Sequence, residues 1–442
     1  MTNSTFNDLK IIEPIKSALI RNGYVTPTPI QQNAIPILLE KNDLLGIAQT
    51  GTGKTAAFSI PLLQHLYLSQ SNPKPRMTRA LVLAPTRELV IQIADNCKIY
   101  GENLSLCQTT IFGGVSEVSQ IKMMSKGVDL VIATPGRLLD LIEQGHIDLS
   151  SVSYLVLDEA DRMLDMGFIK DIKKIIAKIP KKRQTMFFSA TMPDSISGLA
   201  NSILNNPKTV TVTPEVITVE KITQTLYHID KKDKRALLVN LLKNEQLDKI
   251  IVFSRTKHGA NRIVQELDHA GISALAIHGN KSQSARQKAL EAFKNSEIRA
   301  LVATDIAARG IDVDNISHVI NYDLPSEPES YVHRIGRTAR AGAGGIAFSF
   351  YDEETERKSL LDIERLIKFK INVTPTPILE KMVALPDSRL ERPESRRFAQ
   401  NNNNPTSTRN NKRKDNGFKG KPKTVNYKNN SKESSSDIEN LN

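Results

Sequence analysis

The segment "AQTGTGKT", residues 48 to 55, has the residue types and spacing of a loop that binds phosphate groups. An apolar run precedes it, and the helical stretch "AAFSIPLLQHL" follows it. Small residues let backbone N–H groups face phosphate oxygens, and the N-terminus of the following helix adds its positive dipole. Lys54 would neutralise the outer phosphates and Thr55 would offer its hydroxyl to Mg²⁺. A flexible glycine-rich turn is the alternative, and the flanking strand and helix argue against it.

Adjacent carboxylates end the apolar run "YLVLDEAD", residues 154 to 161. Such a pair after a strand is typical of a Mg²⁺ holder and a water activator. Asp158 would contact the metal through water, because Mg²⁺ keeps much of its hydration. Glu159 would orient and deprotonate the attacking water. Helix N-capping is the alternative, and the phosphate loop earlier in the chain favours the catalytic interpretation.

Positive charge is concentrated in "YVHRIGRTARAG", residues 331 to 342, which contains Arg334, Arg337, Arg340 and His333. A solvated helix face or a nucleic-acid patch is the first interpretation of such a segment. Its position in a second α/β unit favours a different role. If the two units face each other, Arg337 and Arg340 would contact the γ-phosphate as arginine fingers. We expect His333 to link neighbouring motifs and Arg334 to be structural.

The polar groups follow short apolar runs that recur through the first 370 residues. Continuous apolar runs are typical of parallel strands buried on both faces. Helical stretches between them predict βαβ units, whose ligands bind beyond the carboxyl ends of the strands. The first set of runs is "DLLGIAQTGTGKT", "ALVLAPTREL", "DLVIATPGR", "YLVLDEAD" and "TMFFSAT". The second set is "KIIVFSRTK", "ALAIHGN", "ALVATDIAARG", "HVINYDLP" and "GIAFSF".

The two sets predict two tandem α/β domains, each a mainly parallel sheet flanked by helices. Between them, residues 205 to 224 contain two prolines and have no helical period, which is typical of a linker. The predicted boundaries are a first domain at 1–207, a linker at 208–222, a second domain at 223–370, an extension at 371–391 and a tail at 392–442.

Cysteine content and hydropathy exclude several classes of protein. Cys97 and Cys107 form no CxxC or Cys/His pattern, so we expect neither a disulfide framework nor a zinc site. The N-terminus lacks an apolar segment behind a basic start, and no run of about 18 apolar residues occurs. We therefore expect no signal peptide and no membrane span, and a location in a reducing cytoplasm.

Seven motifs have the order and spacing of the DEAD-box RNA helicases, a family that the chain resembles from about residue 5 to residue 370. Two of them, extended as "DEADRMLDMGF" and "HRIGRTARAGA", resemble the bacterial RhlE-like branch. The resemblance implies two RecA-like domains facing each other across a cleft that binds ATP and single-stranded RNA. The motifs are "GYVTPTPIQ" (23–31), "PTREL" (85–89), "TPGR" (134–137), "DEAD" (158–161), "SAT" (189–191), "ARGID" (308–312) and "HRIGRTAR" (333–340).

The resemblance implies that ATP and Mg²⁺ are the cofactors. Gln31 would read the adenine edge through paired hydrogen bonds, with ordinary helix-start chemistry as the alternative. Tyr24 would stack on the base, with Phe6 as a candidate second aromatic, and Asp312 would contact the ribose. The phosphate loop would supply Ala48, Gln49, Thr50, Gly51, Thr52, Gly53, Lys54 and Thr55.

The resemblance also implies RNA as the partner. Contacts to the phosphate backbone carry no base information, so binding should tolerate any sequence. For Arg87 and Arg137 taken singly, a solvated or salt-bridged surface arginine is the alternative. The implied RNA contacts are Thr86, Arg87, Gly114, Thr134, Gly136 and Arg137 in the first domain, and Arg286 and Thr304 in the second.

A third group would couple the nucleotide and RNA sites. Ser189 and Thr191 are strand-end hydroxyls able to bond Asp161, and the resemblance adds His333 to this group. Coupling does not follow from a hydrogen bond alone.

The tail carries half of the excess charge of this chain. Lys and Arg number 60 against 48 Asp and Glu, which gives +12, and residues 391 to 442 hold twelve Lys or Arg and six Asp or Glu. The tail is poor in apolar residues, so we expect it to be disordered. Weak, sequence-tolerant RNA contact is one role, and a solubilising segment without a partner is the alternative.

The implied function is an ATP-dependent RNA helicase that locally unwinds short duplexes or remodels RNA–protein complexes and hydrolyses ATP to release RNA. An ATP-gated RNA clamp with little unwinding and a DNA translocase remain open as alternatives. We expect a monomer, with ribosomal or RNA-decay proteins as candidate partners.

Overall fold

Two seven-stranded sheets carry the described part of the chain, and every strand pair recorded in them is parallel. The computed structural model describes residues 5–49, 51–69, 71–212, 222–244, 247–308, 316–338 and 345–376. All of these lie in one compact unit, Met1–Val383. The prediction of two tandem RecA-like sheets flanked by helices is therefore confirmed.

The first sheet has the strand order β3-β4-β2-β5-β6-β1-β7. The strands are β1 Leu44–Ile47, β2 Thr78–Leu83, β3 Gln108–Ile111, β4 Val128–Ala133, β5 Tyr154–Leu157, β6 Gln184–Ser189 and β7 Lys208–Thr211. The helices are α1 Glu13–Arg21, α2 Pro29–Leu39, α3 Lys54–Leu68, α4 Arg87–Tyr100, α5 Val118–Met124, α6 Pro135–Glu143, α7 Ala160–Asp165, α8 Ile169–Ile176 and α9 Asp194–Ile203, after a 3-10 turn at Phe6–Asp8.

Helices cover both faces of this sheet. Phe187 and Phe188 are neighbours in β6 and point to opposite faces, as alternation along a strand requires. Phe188 packs in the cluster that contains Val90 of α4, and Phe187 packs in the one that contains Leu138 of α6. The central strands β2, β4 and β6 are buried along their whole length, which explains their continuous apolar sequences.

The second sheet has the strand order β10-β11-β9-β12-β13-β8-β14. The strands are β8 Ile222–His228, β9 Ile250–Phe253, β10 Ala274–Ile277, β11 Ala300–Ala303, β12 His318–Asn321, β13 Gly345–Tyr351 and β14 Val373–Thr374. The helices are α10 Lys234–Leu242, α11 Lys257–His269, α12 Gln283–Lys294, α13 Asp305–Ala308, α14 Pro328–Ile335 and α15 Glu353–Ile367. Helices α10 and α11 pack on one face, and α12, α14 and α15 pack on the other.

All ten predicted apolar runs are strands, and the structure adds four more. Strands β3, β7 and β14 lie at sheet edges, and β7 is mostly exposed. β7 pairs with β1, so the first sheet extends to Thr211, past the predicted boundary at 207. β8 begins at Ile222, and most of the predicted linker between these strands lies outside the described residues.

Both cysteines are free thiols, Cys97 buried and Cys107 exposed. Among the described helices, none combines the length and the apolar character needed to cross a bilayer.

A buried ion pair joins α10 to α15 in the second domain. Glu356 accepts hydrogen bonds from Lys234 Nζ at 2.7 Å and Arg255 Nη2 at 3.0 Å. Its oxygens also accept from the backbone N–H groups of Leu324 at 3.0 Å and Asp352 at 3.1 Å. The side chains of Lys234 and Glu356 are each only 2% exposed, so this cluster locks the loops after β12 and β13 together.

We expect Glu356→Ala to lower the free energy of unfolding by about 3–5 kcal/mol, because Lys234 would be left as an unpaired buried charge. Urea unfolding followed by circular dichroism measures this. Glu353→Ala, on the exposed first turn of the same helix, is the matched control and should change stability little. Equal effects of the two substitutions would show that the buried pair is not a major stabilising contact.

Candidate active site and nucleic-acid interface

The predicted phosphate loop connects β1 to the start of α3. Gly51 and Gly53 have φ angles of 87° and 95°, in the left-handed region that favours glycine. A Cβ atom at Gly53 would overlap the amide of Gln31 and lie 2.9 Å from Thr28 Oγ1. Thr50 lies outside the described residues. The sequence requirement for glycine thus has a local steric cause.

The loop is hydrogen-bonded to its own backbone. Lys54 is 5% exposed, and its Nζ donates to the carbonyl of Ala48 at 2.8 Å. Thr52 Oγ1 donates to the carbonyl of Gln49 at 2.8 Å. Thr55, the residue predicted to face Mg²⁺, is half-buried in the first turn of α3. Lys54 is therefore held inside the loop.

Gln31 makes both the helix-start contact and a contact to this loop. Its Oε1 accepts from the backbone N–H of Thr28 at 2.9 Å, which closes a capping box at the start of α2. Its Nε2 donates to the carbonyl of Gly53 at 3.1 Å. Recognition of adenine by the same two groups would require exchanging these bonds.

The two aromatic residues predicted to stack on the base differ in exposure. Tyr24 is half-buried and packs edge-on against Tyr100, with ring centroids 5.5 Å apart. Phe6 is 3% exposed and belongs to the core of the first domain. The ring of Phe6 is therefore part of the packing here and not an exposed stacking surface.

The predicted catalytic carboxylates follow β5 and are buried. Burial raises the pKa of Asp158 to about 6, with Lys54 opposing and Glu159 reinforcing the shift. Glu159 has a φ of 51°, an uncommon conformation for a residue with a side chain and one that stores strain. Its Oε2 lies 2.9 Å from Nη1 of Arg162, which is also buried. Arg162 thus fixes the orientation of the Glu159 carboxylate.

Asp161 joins α7 to the loop after β6. Its Oδ2 accepts from the backbone N–H groups of Ala190 and Thr191, at 3.1 and 2.9 Å. It also accepts from Thr191 Oγ1 at 3.1 Å. Ser189 Oγ donates to the carbonyl of Thr191 at 2.7 Å and accepts from the Asp161 N–H at 3.3 Å. The residues predicted to couple the two sites, His333 apart, thus form one hydrogen-bonded group.

Residues from the second sheet approach this carboxylate cluster. A small cavity is lined by Arg162 of the first domain together with His333, Arg334 and Arg337 of the second domain. Arg337 is 6% exposed, whereas His333 is exposed. Arg340 and Asp312, also predicted for the nucleotide, lie outside the described residues. Arg337 therefore lines the same cavity as Arg162, the residue that directly follows the "DEAD" motif.

Arg334 has a different role from its neighbours. It contacts both carboxylate oxygens of Asp305, at 2.6 and 2.7 Å, and donates to the Asp323 carbonyl at 2.7 Å. Its guanidinium also lies over the ring of Phe253, 4.9 Å from the centroid. These contacts tie α14 to the ends of β9, β11 and β12, as expected of a structural arginine.

Three arginines predicted to contact RNA lie near one another, Arg87 and Arg137 of the first domain and Arg286 of the second. Burial lowers the pKa of Arg87, and nearby Arg286 and Arg137 lower it further, with Glu88 partly opposing them. Arg286 Nη2 lies 3.0 Å from Glu88 Oε1, which also accepts from Gln283 Nε2 at 3.2 Å. Glu88 therefore joins α4 to α12. Arg137 lies 3.6 Å from Asp140 and 4.0 Å from Glu117, so it is salt-bridged, the alternative stated for this residue. The like charge of the other two arginines acts on Arg87, where an anionic ligand would relieve it.

The remaining predicted RNA contacts lie at strand ends. Thr86 caps α4, with its Oγ1 accepting from the N–H of Leu89 at 3.3 Å. Gly114 has a φ of 78°, and a Cβ there would overlap the Arg87 guanidinium. Thr134 is the N-cap residue of α6, Gly136 lies in its first turn, and Thr304 directly precedes α13.

Sequence reasoning missed Arg162 and Glu88. The spacing of Glu159 and Arg162, three residues apart on a helix, was a readable signal for an ion pair. Glu88 lies inside "PTREL", but its partners are nearly 200 residues away in the chain. Only the folded structure shows that contact.

Comparison with known proteins agrees with this architecture. The DEAD/DEAH box helicase family model matches residues 28–199, and the helicase conserved C-terminal domain model matches residues 233–342. The chain is 42% identical over 378 residues to the DEAD-box ATP-dependent RNA helicase CshA of Geobacillus kaustophilus, covering 86% of this chain and 80% of that protein. It is 43% identical over 376 residues to the ATP-dependent RNA helicase DeaD of Haemophilus influenzae, covering 84% of this chain and 60% of that longer protein.

Solved structures share the arrangement. The structure of S. cerevisiae Dbp5 bound to RNA and ADP BeF3 matches with a TM-score of 0.75 and 30% identity, over 84% of this chain and 96% of that one. Mss116p bound to ssRNA and AMP-PNP gives the same TM-score and identity, over 85% of this chain and 80% of that one.

The fold and the loop at the edge of its first sheet define a P-loop protein with two RecA-like domains. More specifically, the chain belongs to the DEAD-box helicase family. The RhlE-like branch stays a prediction, since the relatives named above are DeaD and CshA proteins.

We expect the stability of Asp158→Asn, relative to the unsubstituted protein, to rise as the pH rises. Because the pKa of Asp158 in the fold lies above its ordinary value of 3.8, this carboxyl favours the fold below pH 3.8, and its contribution is lost as the pH rises through about 6. The substitution removes that loss. Thermal unfolding without nucleotide or metal measures the difference.

Asp95→Asn, at an exposed aspartate of α4, is the control and should follow the unsubstituted protein. Parallel pH curves for Asp158→Asn and the unsubstituted protein would show that Asp158 titrates as an ordinary carboxyl.

Proposed function

We propose that this protein is an RNA-dependent ATPase that remodels RNA structure. The observation that carries this proposal is that each candidate site contains residues of both domains. Arg337 faces Arg162 beside the "DEAD" carboxylates, and Arg286 joins Arg87 through Glu88. A site divided in this way is complete only when the two domains are together. Nucleotide and RNA can therefore each favour the same closed arrangement.

In the proposed nucleotide site, the loop of residues 48–55 holds the phosphates of ATP, with Lys54 beside the outer ones. Glu159 orients the attacking water, and Arg162 holds that carboxylate in place. Arg337 then stabilises the charge that develops on the transferred phosphoryl group. Release of this contact after hydrolysis would allow the domains to separate.

The residues present fit a Mg²⁺ ion bound with the nucleotide. Asp158 is a buried carboxylate whose pKa is raised, so a nearby cation would stabilise its charged form. Thr55 and Asp158 would hold the ion, which when bound neutralises charge on the phosphates. Within the described residues, no group of three or more His, Cys, Asp or Glu side chains forms a metal site. Mg²⁺ usually takes only one or two carboxylates together with phosphates and water.

In the proposed RNA site, the arginine cluster and the helix N-termini of α4 and α6 contact phosphates. Such contacts position a strand without reading its bases. Preference for RNA over DNA would come from the 2′-hydroxyl. A bend imposed by α6, the helix that begins within "TPGR", would separate a short duplex locally. The solved structures of Dbp5 and Mss116p, each bound to RNA and a nucleotide analogue, support this assignment.

Comparing ATP turnover in the presence of RNA and of DNA of equal length tests the proposal. We expect RNA to stimulate turnover more, and Glu159→Gln to lower it by about 10²–10⁴-fold, the usual contribution of a general base. Glu143→Gln, at an exposed position of α6, is the control. Stronger stimulation by DNA would make the RNA assignment wrong. ATP-dependent binding without release of a short duplex would favour the clamp.

Arg337→Ala should lower ATP hydrolysis by about 10³–10⁵-fold while nucleotide and RNA affinity stay near those of the unsubstituted protein. The reason is that an arginine finger acts on charge that develops during the reaction. Single-turnover hydrolysis and separate binding titrations measure the two effects. Arg365→Ala, an exposed arginine in a surface ion pair, is the control. Loss of RNA affinity alone would restore the basic-patch interpretation of "HRIGRTAR".

A further inference from the structure

The second domain has a cation-lined pocket that none of the seven motifs was predicted to build. Its volume is about 680 Å³. It lies where β9 and β12 end, beside the N-terminal halves of α10 and α11. The lining residues used below are Lys231, Lys232, Arg235, Arg255, Arg262 and Tyr322.

Positive charge exceeds negative charge in this pocket. Six Lys or Arg residues line it against two carboxylates, Asp323 and Glu356. Glu356 is already shared by Lys234 and Arg255. The Asp323 carboxylate accepts from the backbone N–H of Arg255 at 2.9 Å. The two carboxylates of the lining are therefore committed to holding the loops.

Acidic residues near the pocket do not cancel its excess of positive charge. Glu266 pairs with Arg235, and Arg262 lies 3.9 Å from the same carboxylate oxygen. Lys232 pairs with Asp230 at 3.3 Å, but both side chains are more than 70% exposed, and such surface pairs are weak. The Arg262 and Arg255 side chains are 58% and 49% exposed. Several exposed cationic side chains thus surround one concave surface.

The pocket shares a sheet edge with the predicted RNA contacts. Arg286 and Thr304 come after β10 and β11, and β9 lies between β11 and β12 in the sheet. Neighbouring strands are about 4.8 Å apart. The end of β9, where Arg255 begins the pocket, is therefore about one strand spacing from the end of β11. A strand of RNA that crosses β10 and β11 needs only to continue along the edge to reach it.

We propose that this pocket binds backbone phosphates of the same RNA, beyond the part held by the arginine cluster. The proposal rests on the proposed function. Exposed lysines and arginines around a groove suit a phosphodiester chain, and a tyrosine at such a groove can contact a base. Tyr322 lines the pocket with a half-buried ring that packs against Phe350, with the ring centroids 5.8 Å apart.

Charge argues against the tail of this chain as the occupant. Residues 391 to 442 contain twelve Lys or Arg and only six Asp or Glu, so the tail and the pocket carry the same sign of charge. At the first turn of α11, the N–H of Gly259 is bound by Thr256 Oγ1 at 3.0 Å. The cationic side chains are what would recognise the ligand.

The test replaces three pocket cations whose own side chains are exposed, as Lys231→Gln, Lys232→Gln and Arg262→Gln in one variant. The control is Lys358→Gln, Arg365→Gln and Lys370→Gln, three exposed positions on or just after α15, which packs on the opposite face of the sheet. Both variants lose two lysines and one arginine. Thermal unfolding of the two should agree, which shows that neither has lost its fold.

Affinity for RNA of increasing length is measured with the full chain and a slowly hydrolysed ATP analogue. We expect the pocket variant to match the control on the shortest RNA that binds. On longer RNA, the unsubstituted protein and the control should gain affinity, and the pocket variant should bind about tenfold more weakly. The slope of log affinity against log salt should fall by about 0.7 for each lost phosphate contact, or about 2 for three.

Equal affinity of the two variants at every length, with unchanged salt slopes, would overturn the proposal and leave a solvated basic surface. If the pocket variant loses binding of inorganic tripolyphosphate but keeps the full gain with RNA length, the RNA assignment is wrong. Failure of the proposed function itself has a different signature. In that case the shortest RNA does not stimulate ATP turnover by the unsubstituted protein.

Discussion

The burial of parallel strands on both faces is the constraint on which the rest of this structure depends. Strands such as β2 and β4 are enclosed along their whole length and have no solvated face on which to carry a ligand site. Chemistry is therefore confined to the carboxyl ends, where helices begin and backbone N–H groups are free. The phosphate loop, the "DEAD" carboxylates, the arginine cluster and the basic pocket all lie at such ends.

Charges at these ends fall into two groups. Asp161, Arg334 and Glu356 are each surrounded by several donors or acceptors, and their hydrogen bonds hold loops and helices together. Asp158 and Arg87 instead have pKa values shifted away from their charged forms, mainly by burial, although Lys54 opposes the shift of Asp158 and Glu88 that of Arg87. Unfavourable electrostatics that the fold compensates only in part are typical of binding sites. A cation at Asp158 and an anion at Arg87 would relieve both.

The sequence predicts features that are local and fails on those that are distant. Ten apolar runs were strands, whereas β3, β7, β8 and β14 were missed. Strands β3, β7 and β14 lie at sheet edges, where no continuous apolar run is needed, and β8 alternates between buried and exposed residues over its first half. The phosphate loop could be predicted because its glycines and Lys54 lie close together within one short turn of the chain. The contact between Glu88 and Arg286 could not be predicted, because nothing in the sequence near either residue indicates a partner nearly 200 positions away.

Gln31 shows how one side chain can satisfy two interpretations that the sequence left open. Its oxygen closes the capping box of α2 and its nitrogen holds the carbonyl of Gly53, so the amide has no idle group on either side. Reading adenine would exchange these bonds, each worth about 0.5–1.5 kcal/mol net, for equivalent ones to the base. The exchange adds little affinity. A base that cannot replace both bonds would leave a buried polar group unpaired, so in the proposed site Gln31 would discriminate among bases through the bonds that it gives up.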